Sequence, residues 1–343
     1  MGAHPMRRAA LIGVAVTVTV GLSACGGSSS GSSGSGSTET PKIAAVIKGL
    51  DNPFFQSMEQ GIDEQAKGAG VTTTVQAAQS ITDTTGQADK LTALAGQDYN
   101  CYIVNPISGT NLVQGLAKLA AADKTIVNID SPVDAAAAKA ADATPATYIG
   151  TDNTAAGKTA GEQMAKVVSS GDVAVIGGTA GDVTSGARVT GFESGIGSLK
   201  VVQTVAANWD RQEALTQAGN ILRAHPDLKG FFVANDDMAL GVARAVQDAG
   251  KTEKDVKIIS VDGIKDALQA VKDGTLTAVV AQYPYAIGQM GVEACQAAAA
   301  GKTLPANVTA PVELVTQDVA DKALAATPKP FGTYADPLAD LLK

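Results

Sequence analysis

The stretch KIAAVIKGLDNPFFQSMEQGIDEQAKGAG, residues 42–70, opens with an apolar run, IAAVI, and passes through a short polar turn into an amphipathic helical pattern. Pro53 suits the first helical position, because the N–H it lacks is one that a helix start leaves unpaired anyway. A buried strand feeding directly into a helix is half of a βαβ unit. Phe54 and Phe55 stand side by side at that turn, next to Asn52, in a chain whose aromatic content is only 4%. They are either core or one wall of a binding site.

The same rhythm recurs along the chain. Strand patterns fall at 43–47, 72–78, 101–105, 125–130, 146–150, 173–177, 201–206, 230–235, 257–262 and 278–282, with helical segments such as Thr154–Ser169 and Glu213–His225 between many of them. Alternation of this kind implies parallel sheets covered by helices on both faces, an α/β class. Ten strands in 343 residues are too many for one ordinary sheet, so two doubly wound lobes are expected, dividing near Gly150-Thr151-Asp152. Ligands of open parallel sheets bind beyond the carboxyl ends of the strands. The residues there are Asp51-Asn52, Asn105, Asp130-Ser131, Asp152-Asn153, Asn208-Trp209-Asp210, Asn235-Asp236, Asp262 and Gln282. Each alone reads as a helix cap or turn former. As a set they describe a polar cleft able to accept from and donate to a neutral, polyhydroxylated molecule.

The first 25 residues read as a leader: Arg7 and Arg8, then an apolar segment from Ala9 to Leu22, then LSAC ending at Cys25. LSAC resembles a bacterial lipobox, which implies cleavage before Cys25 and lipid attachment to its sulfur. Residues 26–40 form a Gly/Ser-rich tether. Loss of the leader would take the formal charge from −8 to −10, since it holds Arg7 and Arg8 and no acid. An acidic chain does not suit nucleic acid as a partner.

The chemistry is narrow. Beyond the leader His225 is the only histidine, in a loop-like AHPDLKG, so hydrolytic triads and histidine metal sites lack their parts. DNTAAGKT (152–159) has Asp where a phosphate-binding loop needs its first Gly, and VIGGTAGD (175–182) lacks dinucleotide-loop spacing and carries Asp182, so neither reads as a phosphate site. No feature singles out a carboxylate pair for glycoside hydrolysis. No catalytic residue, metal or cofactor is assigned. Cys101 and Cys295 could pair outside the cytoplasm, but both fall in apolar surroundings, and free buried thiols are expected.

Six segments in order, DNPFFQSMEQG (51–61), VNPISG (104–109), IGTDN (149–153), AHPDLKGFFVANDDMALG (224–241), VDGIKDAL (261–268) and GTLTAVVAQYPYAIGQMGVE (274–293), carry a resemblance over residues 42–317. The chain resembles the ribose-type sugar-binding proteins of bacterial ABC importers, which are type I periplasmic binding proteins. The resemblance implies sugar contacts at Asn52, Phe54, Phe55, Asn105, Asp130, Arg188, Trp209, Asn235, Asp262 and Gln282. Ser131 stands where ribose binders have a second Arg, and Val261 where they have a Phe. Both positions are expected to line the pocket, so a pentose, a hexose or a small polyol stays open as ligand. It also implies hinge crossings near Gly150-Thr151, Gln282-Tyr283 and Pro311-Val312. The lobes would be 41–150 with 283–311, and 151–282 with 312–320, leaving 321–343 as an extension whose Pro and Ala content suggests loose packing.

The expected function is a lipid-anchored, extracytoplasmic, monomeric binding protein that closes on a sugar and presents it to membrane permease subunits. Its rivals are a sugar sensor serving a receptor and, against the scarcity of histidine, a secreted carbohydrate-active enzyme.

Overall fold

The computed structural model describes residues 40–332 and 334–343. The leader with Cys25 and nearly all of the Gly/Ser tether lie outside these residues. The chain forms two parallel-sheet α/β lobes, each with a six-stranded sheet. The first lobe contains β1 (Lys42–Ile47), α1 (Pro53–Ala69), β2 (Thr72–Ala77), α2 (Thr84–Ala95), β3 (Cys101–Val104), α3 (Val113–Ala121), β4 (Thr125–Ile129), α4 (Ala135–Ala140) and β5 (Thr147–Thr151). The second contains α5 (Asn153–Val167), β6 (Asp172–Gly177), α6 (Val183–Gly195), β7 (Lys200–Ala206), α7 (Arg211–Ala224), β8 (Gly230–Val233), α8 (Asp236–Asp248), β9 (Lys257–Asp262), α9 (Lys265–Lys272) and β10 (Ala278–Gln282). Then α10 (Pro284–Ala299) and β11 (Asn307–Ala310) return to the first lobe, and β12 (Val312–Val315) and α11 (Ala320–Ala326) to the second.

The sheet orders are β11-β5-β4-β3-β1-β2 and β12-β10-β9-β8-β6-β7. All pairings are parallel except β10 with β12. The ten strand patterns of the sequence are all strands, with ends moved by a residue or two. β11 (NVTA) and β12 (VELV) escape sequence reading because polar residues break them and Pro311 separates them, whereas the equally short β3 and β8 lie in unbroken apolar runs. The passages between lobes follow β5, β10 and β11.

Alternation along the central strands builds the core. Ile43, Ala45 and Ile47 share one layer with Phe54, Met58 and Ile62 of α1 and with Ile287 and Met290 of α10. Ala44 and Val46 face the other way, onto Leu91 and Leu94 of α2 and Leu116 and Leu119 of α3. In the second lobe Val173 and Val175 meet α5 and α6 through Ala160, Met164 and Phe192. Each large apolar side chain fully removed from water here contributes about 1.5–3 kcal/mol. The crossing of α5 and α6 is tight: a Cβ on Gly157 would stand 2.0 Å from the Arg188 carbonyl oxygen. That approach sets the height of α6, and therefore of Arg188, above the sheet.

Two expectations are overturned. Cys101 and Cys295 are not free thiols; they form a disulfide, with Cα atoms 5.8 Å apart. The apolar surroundings hold as expected, with both residues buried, but β3 and α10 meet face to face and bring the sulfurs together. The bond ties α10 to the sheet it rejoins after an excursion through the whole second lobe. The extension is not loosely packed either. Leu338 is 1% exposed within the main core, and Phe331 and Leu341 pack against it.

The loop closed by the disulfide spans 194 residues, for which chain entropy gives a stabilisation of up to about 5 kcal/mol. Replacing both cysteines by serine is expected to lower the melting temperature by several degrees. Thermal unfolding that is unaffected by this change or by a reductant would show that the bond does not form.

Candidate functional site

A cleft of about 330 Å³ opens between the lobes at the carboxyl ends of the strands. From the first lobe it takes Lys48 and Asn52 after β1, Phe54 and Phe55 at the start of α1, the Pro106–Gly109 loop after β3, and Asp130 and Ser131 after β4. The second lobe supplies the loop Thr179–Asp182 and the start of α6, Arg188, Trp209 after β7, Asn235 after β8, and Asp262 at the end of β9.

Asn52 and Asn235 show how one residue serves two structures. The Asn52 side-chain oxygen accepts from the Phe54 N–H at 2.9 Å, and that of Asn235 from the Met238 N–H at 3.0 Å. Each thereby caps a helix. Among the described residues neither amide nitrogen has a hydrogen-bond partner, so each cap retains a donor on the cleft wall. Phe54 and Phe55 are likewise both core and wall: 4% and 7% exposed, ring centroids 5.2 Å apart edge to face, and part of the main core. Trp209 lies over the Arg188 guanidinium at 5.8 Å. Gly178 makes room for it, since a Cβ there would come within 2.2 Å of the indole.

Arg188 is the most constrained group of the site. It is 4% exposed. Its Nε donates to Asn153 Oδ1 at 2.8 Å, and its Nη1 to the Ala234 carbonyl at 2.7 Å and to Asp262 Oδ1 at 3.1 Å. Gln282 Nε2 donates to that same carboxylate oxygen at 2.8 Å. Burial pushes the Asp262 carboxyl up to about 6, with Arg188 pulling the other way. Burial also raises Asp130, against the pull of Lys48 and Arg188. The Asp130 carboxylate accepts from Ser131 Oγ at 3.1 Å, and Lys48 Nζ donates to Ser131 Oγ at 2.7 Å.

The backbone is strained here: φ is 59° at Asp130, 63° at Trp209 and 143° at Asp262. Such values in non-glycine residues persist only where the surroundings impose them. At Asp262 the agent is Asp236, which is fully buried. One of its oxygens accepts from Ser260 Oγ at 2.6 Å, the other from the Gly263 and Ile264 N–H groups at 2.7 and 2.9 Å. These bonds pin the turn that aims Asp262.

Asn105 and Gln282 lie outside the cleft wall. Asn105 is fully buried, its amide 3.5 Å from Met58 Sδ, and Gln282 sits behind Asp262. Val261 is not at the cleft, contrary to expectation: it is buried among α5 and α6 residues, because alternation along β9 turns it away from the face that Asp262 leaves. Sequence reading missed Lys48, although it is the first polar residue after β1, and the loop Thr179–Asp182, which it weighed only as a phosphate site and set aside. Among the described residues no three His, Cys, Asp or Glu side chains are grouped to hold a metal.

Residues 43–303 match a family of proteins described as periplasmic binding protein domains. The D-allose-binding periplasmic protein of Escherichia coli is 36% identical over 79% of this chain and 89% of its own length. The ribose import binding protein of Bacillus subtilis is 32% identical over 80% of this chain and 87% of its length. A periplasmic solute-binding protein from Actinobacillus succinogenes, solved with bound D-allose, superposes with a TM-score of 0.77 at 28% identity, covering 82% of this chain and 99% of its own. The two-lobed fold and these similarities together show that the chain belongs to the periplasmic binding protein family, in its type I arrangement.

Proposed function

We propose that this protein is an extracytoplasmic, lipid-anchored binding protein of a carbohydrate ABC importer. It would capture a pentose, hexose or small polyol between its lobes and pass it to the permease. The observation that carries the reading is the cleft itself. Its polar groups are held by the protein through some of their hydrogen-bonding capacity and keep the rest: one amide on each of Asn52 and Asn235, one carboxylate oxygen on Asp262, and the second terminal nitrogen of Arg188. Sugar hydroxyls would complete these groups, each as donor to a carboxylate or acceptor from a nitrogen. Phe54, Phe55 and Trp209 would cover the C–H faces of the ring. Lys48 brings a cation to Asp130 and Ser131, where the ribose binders have an Arg. That the relatives above are named for D-allose and ribose supports the class of ligand. The disulfide supports an oxidising compartment, and LSAC at Cys25 supports the anchor.

The carboxylates of the cleft have positioning contacts, Asp262 with Arg188 and Gln282 and Asp130 with the Ser131 hydroxyl, and the reading asks for no chemical step from them. Capture thus needs only differential binding to a closed arrangement of the lobes.

Thermal shift with D-allose, D-ribose, other pentoses and hexoses, and polyols tests the reading, because a ligand of the folded state raises apparent stability. At least one is expected to raise the melting temperature; no shift with any of them would sink it. For that sugar, Arg188→Ala and Asp130→Ala should each weaken binding by about 2–5 kcal/mol, roughly thirtyfold or more. Wild-type affinity should decline as pH falls through about 6, where Asp262 gains its proton.

Asp236→Ala leaves three donors without an acceptor and should weaken binding at least about tenfold. Asp236→Asn can keep all three bonds, its oxygen taking the two amides and its nitrogen donating to Ser260, and should bind nearly as the wild type does. Equal loss in both would refute a positioning role. Cys25→Ser should move the protein from the membrane fraction to the soluble fraction of its host; retention in the membrane would remove the lipid anchor from the proposal.

A further inference from the structure

The chain passes between the lobes after β5, β10 and β11, and its tail does so a fourth time. α11 belongs to the second lobe, where it packs on α9. Lys272 of α9 pairs with Asp321 at 2.7 Å, and Gln317 Nε2 donates to the Lys272 carbonyl at 3.0 Å. The next residues, Thr327 and Pro328, lie in a groove between the lobes, alongside Pro53 and Gln60 of the first lobe and Ile264 and Lys265 of the second.

Beyond Pro328 the anchors change sides. Lys329 Nζ lies 5.3 Å from the Tyr285 ring centroid and 3.9 Å from Glu64, and the Tyr285 hydroxyl donates to Glu64 at 2.6 Å. Phe331 meets Tyr283, the residue at the second passage, edge to face at 6.5 Å. Leu338 is buried in the core, and the turn Ala339–Leu342 packs on α10. Asp336 lies against Glu293 of α10, and burial together with Asp336 raises the Glu293 carboxyl well above the usual carboxylate range. The exposed Lys329–Glu64 pair contributes little. The grip comes from Phe331, Leu338 and Leu341 on the core.

We propose that residues 327–343 are a strap that ties the lobes together outside the three hinge strands and holds the ligand-free protein near its closed arrangement. A segment fixed at one end to α9 and at the other to α10 must stretch or detach when one lobe rotates against the other. In the arrangement it secures, Asp130, Arg188, Asn235 and Asp262 are all less than a tenth exposed. Raising the population of that arrangement before ligand arrives lowers the apparent Kd by the same factor. The strap lies beyond residue 303, where the family match ends. The effect on affinity rests on the sugar-binding reading; the effect on shape does not.

Small-angle scattering of ligand-free protein tests the strap directly. Ending the chain after Ala326, which keeps α11, should increase the radius of gyration. The full-length double variant Phe331→Ala, Leu338→Ala should do the same, and it decides the matter if the shortened chain does not fold. With D-allose as probe, both should bind about three- to tenfold more weakly than the wild type. An unchanged radius of gyration in the double variant overturns the strap, whatever D-allose does. A larger radius in a protein that binds no sugar supports the strap and removes only the carbohydrate reading.

Discussion

The buried pair of Arg188 and Asp262 is the interaction on which the cleft depends. Two charges under a tenth exposed are tolerated only when paired and hydrogen-bonded. Here the guanidinium is held by a carboxylate, a main-chain carbonyl and the Asn153 amide. Losing either partner would leave the other as an uncompensated buried charge. Three elements of the second lobe are thereby set against each other: α6 carries Arg188, β9 ends in Asp262, and α5 begins with Asn153. The glycine contact between α5 and α6 sets the distance, and Asp236 sets the turn.

The first lobe answers with its own charges. Asp130 is buried with Lys48 and Ser131 beside it, so the cleft gathers balanced rather than like charge from the two lobes in one small volume. A neutral ligand suits such a space. The rigidity of these groups also lowers what binding must supply in ordering side chains.

Much of this was legible in the sequence. The apolar runs and the turn residues after them are local signals, and the rule that ligands gather beyond strand carboxyl ends converts them into a cleft. Asn52, Asp130, Ser131, Trp209, Asn235 and Asp262 from that rule, and Phe54, Phe55 and Arg188 from the family resemblance, stand on its wall. The choice between cap and cleft for Asn52 and Asn235 was a false alternative, since an amide side chain has separate acceptor and donor ends. The choice between core and wall for Phe54 and Phe55 was false in the same way, since a ring has two faces and an edge. Asn105 and Gln282 lie behind the wall because a strand end leaves the depth of its side chain undetermined. Lys48 was overlooked because a lysine after a strand is usually a solvated residue.

By itself, the sequence determined the order of strands and helices, the class of fold, and the polar character of the strand ends. Each of these depends on residues within a few positions of one another. Tertiary structure alone decided the pairings across long separations. Cys101 with Cys295 spans 194 residues, Lys48 with Ser131 spans 83, and Arg188 with Asp262 spans 74. These depend on strand register, on which sheet a returning segment joins, and on how closely helices pack. The tail shows the same limit: its proline and alanine content suggested loose packing, but the core it lies on belongs to helices assembled from both ends of the chain.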